Sequence, residues 1–128
     1  MSVVVDAAAV MALMLAESGA EQVSAVIRGS LMSAVNVSES CARGVERGAS
    51  AEDVLTILHE YEVRIVAFDL RQALEAARLR EPTRSAGAGI GDRACLALGR
   101  THEATIYTGD RRLATVADRT GLDIRLIR

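Results

Sequence analysis

The chain has 128 residues, half of them hydrophobic, with a formal net charge of −2; this length suits one domain over residues 1–128, with a full core and no need of disulfides. All 15 basic residues are Arg, because no Lys occurs, so chemistry that needs a lysine ammonium is excluded and phosphate contacts fall to Arg or to backbone N–H groups. Tyr61, Phe68 and Tyr107 are the only aromatics, so the core must be Ala, Val, Leu, Ile and Met, without the stacking platforms of many single-strand binders.

Val3-Val4-Val5 is a continuous apolar run of the kind that forms a fully buried parallel strand. Asp6 ends it, and Ala7 to Glu17 predicts a helix, apolar nearly all round and therefore deeply buried. The segment Ala7 to Ala16 follows an acid, with no basic residue before it, and is too short to span a bilayer, so a buried helix is expected. Gly19 separates it from a second helix over Ala20 to Arg28. Leu31 to Val35 predicts the second strand. Asn36 is expected to cap the next helix, with Val37, Cys41 and Val45 on one face and Gly48 at its end. Ser50-Ala51-Glu52-Asp53 is a capping-box pattern that opens a helix carrying Val54, Ile57, Leu58 and Tyr61.

Val63 to Phe68 predicts the third strand, and Asp69 caps a helix with Leu70, Ala73, Leu74 and Ala77. Pro82 marks its end. Thr83 to Gly91 is small and Gly-rich, a loop. Gly91-Asp92 opens a helix through Leu96 and Leu98. Ala104 to Thr108 predicts the fourth strand, Asp110 a short helix with Leu113, Val116 and Ala117 closed by Gly121, and Leu122 to Ile127 the last strand. Strands that alternate with helices predict an α/β fold in three layers, a parallel sheet of about five strands with helices on both faces.

In such sheets, ligands bind beyond the carboxyl ends of the strands. Asp6 follows the first strand, Glu39 lies one helical turn past the second, Asp110 lies two residues past the fourth, and Asp92 is on the first turn of the helix leading into the fourth. Four carboxylates from separate parts of the chain can converge at one edge. Like charges brought together raise one another's pKa, so such a cluster calls for a cation. Oxygen donors suit Mg²⁺ or Mn²⁺, and metal-assisted phosphodiester hydrolysis is the reaction class that follows. The competing explanation is helix capping, which serves equally for Asp6, Asp69 and Asp110 but less well for Glu39. Spacing alone leaves both open.

The motifs together resemble the PIN-domain family, and within it the VapC-like toxins of type II toxin–antitoxin systems. Val3-Val4-Val5-Asp6-Ala7 is similar to the family's opening strand, and Ser33-Ala34-Val35-Asn36-Val37-Ser38-Glu39 to its second acidic motif. Gly91-Asp92-Arg93-Ala94-Cys95-Leu96-Ala97-Leu98 resembles the third, and Thr108-Gly109-Asp110 the fourth. The resemblance implies a metal-dependent endoribonuclease, cytoplasmic and homodimeric, neutralised by a cognate VapB-like antitoxin. It implies Asp6, Glu39, Asp92 and Asp110 as the catalytic quartet. Asp6 and Asp92 would be the main ligands of Mg²⁺ (or Mn²⁺), with Asp110 completing the shell directly or through water. Glu39 would orient or deprotonate the attacking water, and Thr108 would hydrogen-bond a ligand carboxylate. Many relatives carry a hydroxyl two positions after the first Asp; Ala8 stands there instead.

Arg93, Arg111 and Arg112 adjoin the expected site and are candidates for RNA phosphate contacts; the plainer alternative is solvated helix faces. His59 and His102 sit near helix ends and are expected to be surface or capping residues. Cys41 and Cys95 form no C-x-x-C pair and are expected as buried small hydrophobes in a reducing setting. Gly87-Ala88-Gly89-Ile90-Gly91 lacks the spacing of a dinucleotide loop and follows no strand. Met11, Leu13, Met14 and Leu15 exceed what one helix face needs, and serve either the core or a docking face for a second copy or an antitoxin. A receiver domain needs a Lys, and a haloacid-dehalogenase-like phosphatase needs an Asp where Ala8 stands, so both are poor matches. The alternative function is a non-catalytic PIN-like module that binds RNA or protein.

Overall fold

The computed structural model describes residues 2–128. Five strands form one parallel sheet in the order β3-β2-β1-β4-β5: β1 (Val3–Val5), β2 (Leu31–Ser33), β3 (Arg64–Val66), β4 (Thr105–Thr108) and β5 (Ile124–Leu126). Central β1 pairs with β2 at Val4 opposite Leu31, and with β4 at Val5 opposite Tyr107. The helices are α1 (Ala7–Met14), α2 (Ala20–Val26), α3 (Ala34–Glu46), α4 (Ala51–Glu60), α5 (Leu70–Arg78), α6 (Ile90–His102), α7 (Arg111–Ala114) and α8 (Ala117–Thr120), with a 3-10 turn at Arg84–Ala86. No helix among the described residues is long and apolar enough to cross a membrane.

Alternation along the strands divides the core in two. Val4, Leu31 and Ile106 face α5, α6 and α7, where they meet Leu79, Cys95, Leu96, Leu98 and Leu113. Val5 and Met32 face the other way, against Val10, Val23, Ile27 and Leu58 of the α1, α2 and α4 layer. No aromatic ring is fully buried among the described residues; Tyr61, Phe68 and Tyr107 only pack on the margins. Met11 is core, whereas Leu13, Met14 and Leu15 remain partly open.

Several boundaries differ from the sequence expectation, each for a local reason. β2 stops at Ser33 because its hydroxyl accepts the Val35 N–H at 3.2 Å and starts α3 there. Asn36 is therefore not a cap: it lies inside α3, 1% exposed. α1 ends at Met14, where Ala16 takes φ 53° and the chain turns back. α6 begins at Ile90, one residue before the expected Gly91. The expected single helix after Asp110 is two short turns, broken where Thr115 Oγ1 donates to the Arg112 carbonyl. Cys95 is buried as expected, while Cys41 is only partly covered; burial raises the pKa of both thiols, with Glu52 adding to the rise at Cys41.

The tightest helix–sheet contact is at Gly99 of α6. A Cβ there would fall on Ile106, whose Cγ1 would lie 2.5 Å away. Ile106 is fully buried and has no room to withdraw. Gly99→Val is expected to destabilise the fold by about 3 kcal/mol, the upper part of the usual overpacking range, read as a lower urea midpoint at unchanged slope.

Candidate active site

The strand order reverses direction about β1 and β4, and the crevice at such a switch point is where α/β sheets hold ligands. A cleft of about 300 Å³ opens there, lined by Asp6, Ala7, Ala8, Glu39, Arg43, Asp92, Gly109, Asp110, Arg111 and Arg112. All four sequence-predicted acids line it. β1 delivers Asp6, α3 delivers Glu39, the first turn of α6 delivers Asp92, and the β4–α7 junction delivers Asp110.

Asp6 is the deepest, 5% exposed. It caps α1, accepting the Ala9 N–H on Oδ1 at 2.8 Å, while Thr108 Oγ1 donates to Oδ2 at 2.5 Å. The same Thr108 oxygen accepts the Asp110 N–H at 3.0 Å, so one hydroxyl ties the ends of β1 and β4 together. Burial pushes the Asp6 carboxyl up from 3.8 to about 6; the Thr108 and Ala9 hydrogen bonds oppose the rise, and Asp92 adds to it. Both Asp6 oxygens already have donors, so a hydroxyl at position 8 is not needed to satisfy them. The Ala8 methyl instead lies close to the Gly109 backbone, 2.9 Å from where a Cβ would stand. Thr108→Val keeps the shape and removes the hydroxyl. It is expected to cost about 2 kcal/mol at pH 8, where Asp6 is charged, and less at pH 4; urea unfolding at the two pH values reads the difference.

Asp92 turns back to accept the Gly89 N–H at 3.2 Å. Its pKa is raised, first by burial and then by Asp110 and Glu39, against the pull of Gly89 and Arg112. Asp110 caps α7 through the Arg112 N–H at 2.8 Å and lies 3.4 Å from the Arg112 guanidinium. Glu39 is exposed to the cleft and accepts from Asn36 Nδ2 at 2.8 Å. Capping and site formation are therefore not alternatives: Asp6, Asp92 and Asp110 do both, since a carboxylate has oxygens enough for a backbone amide and a second partner.

An oxygen-only donor set around a buried, charge-frustrated Asp fits a hard divalent cation. Among the described residues no three acids are yet gathered into a metal-binding group. Each carboxylate is tied to its local donor, and Mg²⁺ needs only one or two carboxylates besides water. A separate cleft of about 420 Å³, lined by Leu13, Met14, Arg28, Ile57, Glu60 and Tyr61, offers a single carboxylate and no comparable set.

Arg111 and Arg112 line the cleft, but Arg93 does not. Its guanidinium turns toward α5 and donates to the Ala76 carbonyl at 3.2 Å, because a neighbour of Asp92 on a helix points to another face. Arg43, which the sequence reading passed over, occupies the rim instead. It lies four residues after Glu39 and so on the same helix face, a signal present in the sequence. His59 and His102 are exposed in the last turns of α4 and α6, away from the cleft.

The fold matches chains of solved complexes over nearly their whole length. A toxin–antitoxin complex from Klebsiella pneumoniae superposes with TM-score 0.78 at 14% identity, over 100% of this chain and 98% of that one. DNA-bound VapBC from Salmonella typhimurium gives TM-score 0.69 at 12% identity, over 100% and 99%. VapBC-1 from nontypeable Haemophilus influenzae gives TM-score 0.69 at 18% identity, over 99% and 98%. At these identities the likeness is one of fold. Comparison with curated protein sequences gives no significant match. The sequence profile of the PIN domain matches residues 3–119, which takes in β1 to β4 and all four acids of the cleft: the chain belongs to the PIN-domain family.

Proposed function

We propose that this protein is a VapC-like toxin, an endoribonuclease that hydrolyses RNA phosphodiester bonds with Mg²⁺ or Mn²⁺. The observation that carries this reading is the convergence of Asp6, Glu39, Asp92 and Asp110 on one cleft at the β1–β4 switch point. Asp6 and Asp92 would hold the ion, with Asp110 completing its shell directly or through water. Bound there, a divalent ion supplies Lewis acidity toward the scissile phosphate and lowers the pKa of water. Glu39, the most exposed of the four acids, orients the attacking water and receives its proton. Thr108 keeps Asp6 from swinging out of line. Arg43, Arg111 and Arg112 form a cationic rim for flanking phosphates.

The partners follow from the same reading. Solved chains of similar fold come from a toxin–antitoxin complex and from VapBC complexes, and a VapB-like antitoxin is the expected inhibitor of this one. A homodimer is the assembly implied by the resemblance.

The test uses purified, antitoxin-free protein, bulk bacterial RNA, and Mg²⁺, Mn²⁺ or chelator, beside Asp92→Asn. Discrete fragments that require both metal and Asp92 are expected. The absence of both cleavage and metal binding would favour the non-catalytic module instead.

A further inference from the structure

One buried polar side chain beside the cleft is unexplained by packing. Asn36 is 1% exposed on the inner face of α3, where an apolar residue would pack without cost. Its Nδ2 donates twice, to Glu39 Oε1 at 2.8 Å and to the Gly91 carbonyl at 3.0 Å. Its Oδ1 is buried with no partner. An orphaned buried acceptor costs about 1–3 kcal/mol. Rotating the amide would not relieve it, because Oδ1 would then face two acceptors. The orientation is therefore set by the donor end, at the expense of the acceptor end.

The far side of the clamp is equally specific. A Cβ at Gly91 would fall on the Glu39 carboxylate. Gly91 is the residue before Asp92, in the first turn of α6. One amide thus fastens a carboxylate of α3 to the backbone of the turn that carries Asp92. A Glu side chain has three free torsions; this one is held from one oxygen by Asn36, and its carboxylate lies against Gly91 while lining the cleft.

We propose that Asn36 is a positioning residue, which with Gly91 locks the Glu39 carboxylate in its working orientation toward the attacking water. The assignment rests on the proposed ribonuclease reading for its catalytic consequence, though not for the clamp itself. Partners of this kind, one step removed from the reacting atoms, usually cost about 10–100-fold when lost.

The test compares Asn36→Ala in the natural background and in Glu39→Gln. In the natural background kcat falls about 10–100-fold with KM changed less than about twofold. In Glu39→Gln the same substitution costs less than about twofold, because the group it acts through is gone. An equal loss in both backgrounds would mean a structural role and overturn the assignment, as would an unchanged kcat. Should Asn36→Ala fail to fold, Gly91→Ala carries the test, since it displaces the same carboxylate from the other side. A second readout needs no activity. In chelator-treated protein, the Asn36 side-chain amide resonances, identified by their loss in a folded Asn36 variant, should move on Glu39→Ala. Resonances that stay in place overturn the clamp; resonances that move in a protein that cleaves no RNA keep the clamp and refute the ribonuclease reading alone.

Discussion

Asp6→Asn is expected to make the metal-free protein more stable while removing its activity. The stability half follows from burial. Asp6 has its carboxyl raised from 3.8 to about 6, a difference of about 2 pK units and hence about 3 kcal/mol. The folded state holds this proton more tightly than the unfolded chain does. The contribution is therefore complete below about pH 3.8 and is lost as pH rises through about 6. Metal-free wild-type protein should lose up to about 3 kcal/mol across that window. Asn carries no charge at any of these pH values. Its Oδ1 still accepts the Ala9 N–H, so the α1 cap survives. Urea unfolding of chelator-treated protein at pH 4 and pH 8 should show the wild type weakening and the variant flat. The activity half follows from the same side chain: with the deepest of the proposed ligand carboxylates neutralised, metal-dependent cleavage should fall by at least about 100-fold, the scale at which losing one preformed electrostatic element acts. A variant that loses stability at pH 8 would contradict the assignment of Asp6 as a charge-frustrated ligand.

Divalent metal should raise the melting temperature by roughly 10 °C. At about 100 times its dissociation constant, a ligand that binds only the folded state stabilises by about 2.7 kcal/mol, and a domain of this size gains about 4 °C per kcal/mol. The coupling is strong because binding also relieves repulsion. Asp110 and Glu39 both raise the Asp92 pKa, and Asp92 raises that of Asp6. Mg²⁺ and Mn²⁺ should each give the shift in chelator-stripped protein near pH 8, and the shift should shrink toward pH 5 as Asp6 takes up its proton. Asp92→Asn should abolish most of it. A melting temperature indifferent to both ions at millimolar concentration would remove the metal from the mechanism.

The sheet and the four acids were legible because each depends on a strong local signal. Val3-Val4-Val5 followed by Asp6, and Thr108-Gly109-Asp110, mark strands that end in a carboxylate, and a parallel sheet brings such ends to one edge. Asp92 could be placed because the first turn of α6 is fixed in sequence relative to β4. Helical phase was harder to read. Arg93 is adjacent to Asp92 in sequence but about 100° round the helix from it, and it went to α5. Arg43 is four residues from Glu39 and shares its face. The role of Asn36 was not legible. Its type and position suggested a cap, and only the early end of β2, set by Ser33, carried it into the helix interior. The Gly91 contact with Glu39 joins residues 52 positions apart, and no local pattern reports it.

The bond between Thr108 and Asp6 joins residues 102 positions apart. β1, made before the other four strands of the sheet, finds one of its two sheet neighbours only when β4 is added. At about 5–20 residues per second, a ribosome working past residue 100 has already supplied Asp6, Glu39 and Asp92 to the nascent chain. It has not yet supplied Thr108, Asp110 or the strand that orders the cleft. For the ribonuclease proposed above, this order of manufacture would act as a safety catch. The machine translating it is itself RNA-rich, and the cleft is completed only after β4 has been made. Fragments released early, by stalling or proteolysis, carry most of the acids and none of the edge.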